Sequence, residues 1–476
     1  MTAIPILRTP AGALALVALL AVPPTAPPAT PLVDPSLYAG LAWRNLGPFR
    51  AGRVAAVSGA IGQPGVFYIG LPAGGIWKTT SAGETWYPIF DGVKEVSSVG
   101  AVEVAPSDPN VIYAGTGDLI TGGSINEGNG VYRSGDAGRT WRHVGLEGSK
   151  QIPSMLVDAR DPNTVLVAAQ GDVHVKSESR GVFRTTDGGS TWTRTLFAND
   201  STGIQKLARA EDTPAVIFAT TVRHYVPPVV PGRPQTPQQG ADASGYTGTS
   251  LYKSTDGGLT WKESSGGGLP RLNGRTSVAV AMHTSAQRVF LIAGSGLYRS
   301  DDGGATWRQM AADDIRIRNG QGGYNCGVYV DPANPDIVYT ISTSSYKSTD
   351  GGKTFTGFKG APGGDDPQQL WIDPTNASRM LMGLDQGGVV TLDGGATWSS
   401  YYNQSTDQIY HLAVDNSYPY WVYGTQQDAG AIRTRITATS APSPRWTGIR
   451  SPAGSGEPFF PIHLIPTPST RAARAS

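Results

Sequence analysis

Apolar residues in this chain come in short runs, each cut off by Gly, Pro, Asn or Asp. One unit shows the order. Ala101-Val-Glu-Val104 alternates in part, Ser107-Asp-Pro-Asn110 interrupts, and Val111-Ile-Tyr-Ala114 is continuously apolar. Gly130-Val-Tyr-Arg133 follows a glycine-rich connection, and Thr140-Trp-Arg-His-Val144 follows a tight polar phrase. Short β-branched and aromatic runs with such boundaries are strands. No long stretch carries helical periodicity. The unit is therefore four short antiparallel strands. Its second strand recurs at 64–69, 162–168, 214–219, 287–293, 335–341 and 377–384.

The polar phrase reads Ser/Thr-x-Asp-x-Gly-x-Thr-Trp. It occupies 134–141, 185–192, 254–261, 300–307, 348–355 (ending in Phe355) and 391–398, and a first copy at 79–86 has Ser81 in place of the acid. Successive key positions lie 55, 51, 69, 46, 48 and 43 residues apart. A period of about 40–50 residues marks stacked supersecondary units. The long interval holds a Pro/Gly/Gln stretch, 226–249, which reads as an inserted loop. Four-stranded sheets set radially around a channel form a β-propeller. The expected fold is all-β: a single propeller of seven to eight four-stranded antiparallel blades. After the seventh phrase, Ile409-Tyr-His-Leu-Ala-Val414, Tyr420-Trp-Val-Tyr-Gly424 and Gly430-Ala-Ile-Arg433 resemble the first three strands of an eighth unit. Trp43-Arg-Asn-Leu-Gly47 reads as the fourth strand that locks the ring, with Arg445-Trp-Thr-Gly-Ile449 as a rival, so eight blades is the preferred count.

Asp136, Asp187, Asp256, Asp302, Asp350 and Asp393 of the phrase read as structural. An Asp side chain accepts from backbone N–H groups one or two residues on and holds a tight turn. The glycines that follow tolerate positive φ. Repeated catalytic sites on an outer rim make no chemical sense, and a copy without the acid is tolerable only for a packing motif.

Composition adjusts this picture in three places. Gly 62 and Pro 36, about a fifth of the chain, fit a fold rich in turns. Lys and Arg, 38, nearly balance Asp and Glu, 37, so no basic field suggests nucleic acid. Cys326 is the only cysteine, which rules out an internal disulfide. The apolar run 11–22 after Arg8 is too short to span a bilayer and fits a secretory leader. The expected organisation is a leader over 1–29, a Pro-rich linker over 30–40, the propeller over 41–436 and a disordered tail over 437–476, exported as a monomer to the periplasm or beyond. The abrupt loss of pattern at the tail suggests a truncated or frame-shifted product.

The repeated phrase is similar to the Asp-box, or bacterial neuraminidase repeat. The chain resembles secreted bacterial Asp-box propellers whose leading half looks like the N-terminal domain of sortilin-type receptors, a group often labelled glycosyl hydrolases. The resemblance rests on Trp43-Arg-Asn-Leu-Gly-Pro-Phe-Arg-Ala-Gly-Arg-Val54, Gly74-Gly-Ile-Trp-Lys-Thr79, Tyr113-Ala-Gly-Thr-Gly-Asp118 and Tyr420-Trp-Val-Tyr-Gly-Thr-Gln-Gln-Asp428, and covers roughly 41–433. Sialidases of this kind carry an Arg-Ile-Pro motif; here Arg53 is followed by Val54-Ala55. Xyloglucan-cleaving endoglucanases place a catalytic Asp in a Thr-Asp-Ile-Gly-Gly-like segment of their first blade and draw the second carboxylate from a second propeller. The matching stretch here is Leu71-Pro72-Ala73-Gly74-Gly75, with Pro72 where the acid belongs. Photosystem II assembly factors use such a ring as a protein-binding scaffold and need no catalytic pair.

A ligand site is expected at the mouth of the channel, built from the loops between second and third strands and between blades. Those loops carry Asp118, Asn126 and Glu127; Asp172, His174 and Lys176; Arg223 and His224; Asp365, Asp366 and Gln368; Asp385 and Gln386; and Gln426, Gln427 and Asp428. Convergent polar groups in a concave place make a binding site. Glycoside hydrolysis needs two carboxylates about 5–10 Å apart, and Asp118 with Asp366 or Asp385 is the candidate pair. His174 and His224 lack metal-ligand spacing, so no metal or cofactor is expected. Trp371, Tyr401, Tyr402 and Tyr410 are either sugar platforms or blade core. The expected role is a secreted binding module for a protein or polysaccharide at the mouth. The alternatives are a glycoside hydrolase and a truncated piece of a longer two-propeller protein.

Overall fold

The computed structural model describes residues 34–40, 46–47, 49–118, 126–223, 247–273, 275–294, 296–318, 326–360, 365–427 and 430–436. The leader, the loop at 224–246 and the tail from 437 lie outside them. The chain divides into a short unit ending at Asn45 and a large one beginning at Leu46. In the first, a single 3-10 turn, Pro35–Tyr38, is capped by Asp34, whose carboxylate accepts from the Ser36 amide.

The second unit is a β-propeller. Six four-stranded and two three-stranded antiparallel sheets follow one another, with a small two-stranded ribbon beside the fourth. Blade 1 takes Ala56–Gly59, Phe67–Gly70, Ile76–Thr79 and Tyr87–Pro88 from the channel outward. The inner strands of blades 2 to 7 are Val99–Val104, Ser154–Val157, Thr202–Arg209, Ser277–Val280, Gly327–Val330 and Gln369–Asp373. Each inner strand up to blade 6 packs on the one before it, and the inner strand of blade 7 packs back on that of blade 1. The ring therefore closes with seven blades, not eight. Val54, Val57, Ile69, Leu381 and Val390 fill the seam between blades 7 and 1 and leave no gap for another sheet. Each such fully buried side chain contributes about 1.5–3 kcal/mol relative to solvent exposure.

The sheet expected as an eighth blade forms, from Ile409–Val414, Trp421–Gln426 and Gly430–Arg435, but outside the ring. Leu412 and Val414 on its first strand are 71% and 59% exposed. Thr434 donates to the Leu46 carbonyl. Residues 43–45 of the expected locking strand, and the rival at 445–449, fall outside the described residues.

Polar side chains staple neighbouring inner strands. Ser58 accepts from the Val104 amide, Ser154 from Leu207, Gln205 from Thr276, Ser277 from Val328 and Gln369 from Val57. Such bonds hold backbone groups that no sheet ladder reaches.

The aspartate phrase makes the turn between the third and fourth strands, as expected, by a longer reach than expected. In Asp136, one carboxylate oxygen takes the Thr140 amide at 2.9 Å and the Ser134 hydroxyl at 2.8 Å, and the other takes the Thr140 hydroxyl at 2.7 Å. The partner amide is four residues on. Asp187, Asp256, Asp302, Asp350 and Asp393 repeat the arrangement. In the first copy the Ser81 hydroxyl takes the Thr85 amide instead. Two glycines at positive φ, such as Gly257 and Gly258, carry the bend. The closing Trp latches the previous blade: Trp141 donates to the Ile89 carbonyl and Trp192 to Val144.

One repeated feature was not singled out in the sequence. A cation precedes the Ser/Thr of six turns: Lys78, Arg133, Arg184, Lys253, Arg299 and Lys347. Lys78, Lys253 and Arg299 donate to carbonyls inside the next blade's turn, at Ala137, Gly303 and Gly351. The seventh copy has Val390 at this place, and there Arg379 crosses the seam. It pairs with Asp373 at 2.7 Å and donates to the Gln63, Pro64 and Val66 carbonyls.

Candidate site at the mouth above blades 7 and 1

Two chain segments distant in sequence build the most charged part of the mouth. The turn Asp385-Gln386 joins the last two strands of blade 7, and the stretch 50–54 leads into blade 1. Val54 donates to the Leu384 carbonyl and Ala51 to Tyr401, so the two run side by side. Arg53 reaches Asp385 at 3.2 Å, with the two side chains 10% and 3% exposed. Gln368 donates to the same carboxylate oxygen at 2.8 Å and to the Asp366 carbonyl at 3.3 Å. Asp365 is paired with Lys359 at 2.6 Å, and its carbonyl takes the Asp385 amide. Asp366 holds φ 45 and donates its amide to Thr343.

A further acid, Asp407, joins this group. It lies on the strand-like stretch that crosses from blade 7 to the outer sheet. Gln404, fully buried, pins that stretch to Gly388 through both ends of its amide. Gly52 meets it with no room for a side chain: a Cβ there would stand 2.5 Å from the Thr406 carbonyl and 3.3 Å from the carbonyl carbon of Asp407. Burial pushes the Asp407 carboxyl up to about 8, against the opposing pull of Arg50 and Gln426. Arg50 also stacks over Tyr402, and Tyr402 tilts against Tyr401 with ring centres 4.7 Å apart. Burial, then Tyr402 and Asp365, push the Tyr401 hydroxyl up to about 12. The segment 50–54 thus touches one carboxyl that keeps its proton near neutrality, Asp407, and one in an ion pair, Asp385. Glycosidic cleavage uses two carboxyl groups, one of them an acid that keeps its proton near neutrality.

The other expected site residues scatter. Asp118 is 3% exposed, just after the second strand of blade 2; its amide bonds the Asn126 carbonyl, and the Asn126 side chain reaches the Pro72 carbonyl. Glu127 is exposed, 3.6 Å from Lys150. His174 is exposed on a loop organised by Arg180, which donates to the carbonyls of Gln170, Asp172, Val175 and Asp200. Arg223 is exposed, Gln386 half-buried and Gln426 buried. His224 and Asp428 lie outside the described residues. Trp371 is core: its ring packs edge-on to Phe67 and under Arg379. Tyr402 and Tyr410 are each more than two-fifths exposed; Tyr402 lies against Arg50 and Tyr401, and the Tyr410 hydroxyl donates to Gln427. Asp407 and Arg50 were missed although both lie in segments that lead from one sheet to the next or into the first, a class of loop expected at the mouth. The only signal was Arg50-Ala-Gly-Arg53 itself, two cations around a glycine.

No family model matches the chain. A xyloglucanase of Acetivibrio thermocellus is 24% identical over 397 residues, which are 78% of this chain and 41% of that protein. A xyloglucanase of a Paenibacillus species is 29% identical over 210 residues, 41% of this chain and 19% of that protein. The chain thus spans 41% of the first of these relatives and 19% of the second. Among solved structures, the GH74 xyloglucanase from Xanthomonas campestris superposes with a TM-score of 0.58 at 19% identity, over 82% of this chain and 60% of that one. A GH74 enzyme of Niastella koreensis gives 0.58 at 16% identity, over 84% and 61%. At such identities the structural likeness speaks for the propeller fold.

Proposed function

We propose that the protein is a glycoside hydrolase that acts on a polysaccharide of the xyloglucan class across the mouth above blades 7 and 1. The observation that carries the reading is that one segment, 50–54, touches both acids: Arg53 pairs with Asp385, and Gly52 packs against the backbone at Asp407, whose carboxyl is pushed up to about 8. The xyloglucanase names of the sequence relatives supply the substrate class. Asp407 gives its proton to the glycosidic oxygen as the bond to the anomeric carbon breaks. A water then adds to that carbon and passes its proton to Asp385. Arg53 and Gln368 hold Asp385 in place throughout. Pro72 stands where the resemblance calls for an acid, so the reaction rests on this different pair.

Pro72 also favours a second reading, in which the mouth binds the glycan and does not cut it. Incubation with xyloglucan and with an unsubstituted β-glucan separates the two. Release of reducing ends, lost in Asp407→Asn while the polysaccharide still retards the protein in a gel, supports the hydrolase. Retardation without release leaves the binding module, and neither result rejects both. A third reading, one ring of a longer two-propeller protein, is favoured by the exposed Leu412 and Val414 of the outer sheet. Greater solubility on extending the chain downstream would support it, and unchanged solubility would count against it.

A further inference from the structure

The outer sheet of Ile409–Val414, Trp421–Gln426 and Gly430–Arg435 has two unlike faces. Leu412 lies across the strands from Gly424 and Ile432, and Val414 from Val422 and Thr434. That face is largely apolar. Side chains alternate along a strand, so the rows between these lie on the opposite face. There Ala413, Tyr423 and Arg433 make one row, and Trp421 stands beside Arg435. Both guanidinium groups lie over the Trp421 ring, Arg433 at 4.6 Å from its centre and Arg435 at 4.8 Å. Neither the aspartate turns nor the mouth acids use these residues.

This second face carries more cation than acid. One acid borders it, Asp415, and that carboxylate is already occupied. It accepts from the Trp421 amide at 3.0 Å, the Ser417 hydroxyl at 2.7 Å and the Tyr423 hydroxyl at 3.0 Å. Arg433 is half-buried and hydrogen-bonds the Tyr423 hydroxyl oxygen, whereas Arg435 is exposed. Among the described residues no carboxylate pairs with either arginine. A guanidinium held against an aromatic ring keeps its fork of donors oriented, and that fork matches a carboxylate two bonds at a time. Exposed rings stand close by in the chain. The hairpin that leads into Trp421 carries Tyr418, 99% exposed, and Tyr420, 36% exposed.

We propose that this face of the outer sheet binds an acidic polysaccharide, one whose sugars bear carboxylates. Arg435, supported by Arg433, takes a carboxylate, and the tyrosines of the hairpin take the apolar faces of the sugar rings. An acidic peptide could use the arginines but would leave those rings idle. The other end of the sheet meets the mouth, where the Gln427 amide donates to the carbonyl of Gln408, next to Asp407, at 3.1 Å. Trp421 and Gln426 are about 17 Å apart along one strand. The choice of a glycan as the occupant rests on the glycan reading of the mouth; the charge argument does not.

The test runs the full chain through native gels that contain polygalacturonate, its fully methyl-esterified form or polyglutamate, and follows retardation against polymer concentration. Polygalacturonate should retard the chain, less so as salt rises, while the neutral ester and polyglutamate retard it weakly. Arg435→Gln should weaken the effect about tenfold. Arg435→Lys, which keeps the charge and loses the fork, should fall between that variant and the parent. Release of reducing ends from xyloglucan should change in neither variant. The proposal is overturned if the ester retards as strongly as the acid or if Arg435→Gln binds like the parent. Equal retardation by polyglutamate overturns it too and makes the face a docking surface for acidic protein. Retardation by polygalacturonate without any cleavage of xyloglucan supports the proposal and counts against the hydrolase alone.

Discussion

On the rim of the aspartate turns, Asp136, Asp187, Asp256, Asp302 and Asp393 are held at about 2, first by the hydroxyl and amide of a threonine four residues on. On the opposite rim Asp407 is pushed up to about 8 by burial, and Asp385 finds its cation, Arg53, 332 residues away. The same side chain is thus a turn stabiliser at one end of the ring and a buried carboxyl of raised proton affinity at the other. The difference lies in where the partners come from. Local partners satisfy a carboxylate at the surface and leave it chemically inert. Distant partners bury it, and burial changes which protonation state is stable.

The sharpest way to break this contrast is at Asp407. Asp407→Asn should lower the rate of reducing-end release by about 100- to 10,000-fold, the usual yield of a positioned general acid, with polysaccharide retention intact. Asp256→Asn on the turn rim should leave that rate within about twofold. Next in size is Arg379, where the turn rim too depends on a distant partner. Arg379→Met strands Asp373, 3% exposed, and should cost about 3–5 kcal/mol in urea unfolding. A loss below about 1 kcal/mol would show that the seam does not need the pair.

The two rims should also answer pH in opposite senses. The turn acids have depressed proton affinities, so their stabilisation is present above the ordinary carboxylate value and lost as pH falls through about 2. Asp407 and Glu103 have raised ones, so their contribution is complete in acid and is lost as pH rises from about 4 through about 8. Tm measured from pH 2 to 9 should fall at both ends, and Asp407→Asn should flatten the upper limb alone. An unchanged upper limb would place Asp407 among ordinary exposed acids. The smallest expected effect is a gain: Ser81→Asp restores the carboxylate of the first turn, beside Thr79 and Thr85, and should raise Tm by roughly 1–2 °C.

Much of the turn rim was legible because its contacts span four residues. The phrase around Asp136 holds its own acceptors, donors and glycines, and so announces the turn, the strand that follows and the repeat. Its reach to Thr140, rather than to the nearer amides, was not foreseen. The cations Lys78, Lys253 and Arg299 could have been found by looking one residue upstream of each phrase. Ring closure was less legible. Ile409–Val414 carries the same strand pattern as the inner strands, yet ends outside the ring, because alternation of side chains records a sheet and not its neighbours. Asp407 carried no local signal at all.

The sequence by itself determined the strands, the turns and the radial repeat, since each follows from bonds and side-chain alternation within a few residues. Only the tertiary structure decided that seven blades close the ring, that Asp385 meets Arg53 while Gly52 packs on the backbone at Asp407, and that Lys206 reaches Tyr329 across the channel. Those contacts join residues from the two ends of the chain or from alternate blades. Their energies depend on burial and distance in the closed ring, quantities that no local stretch of sequence contains.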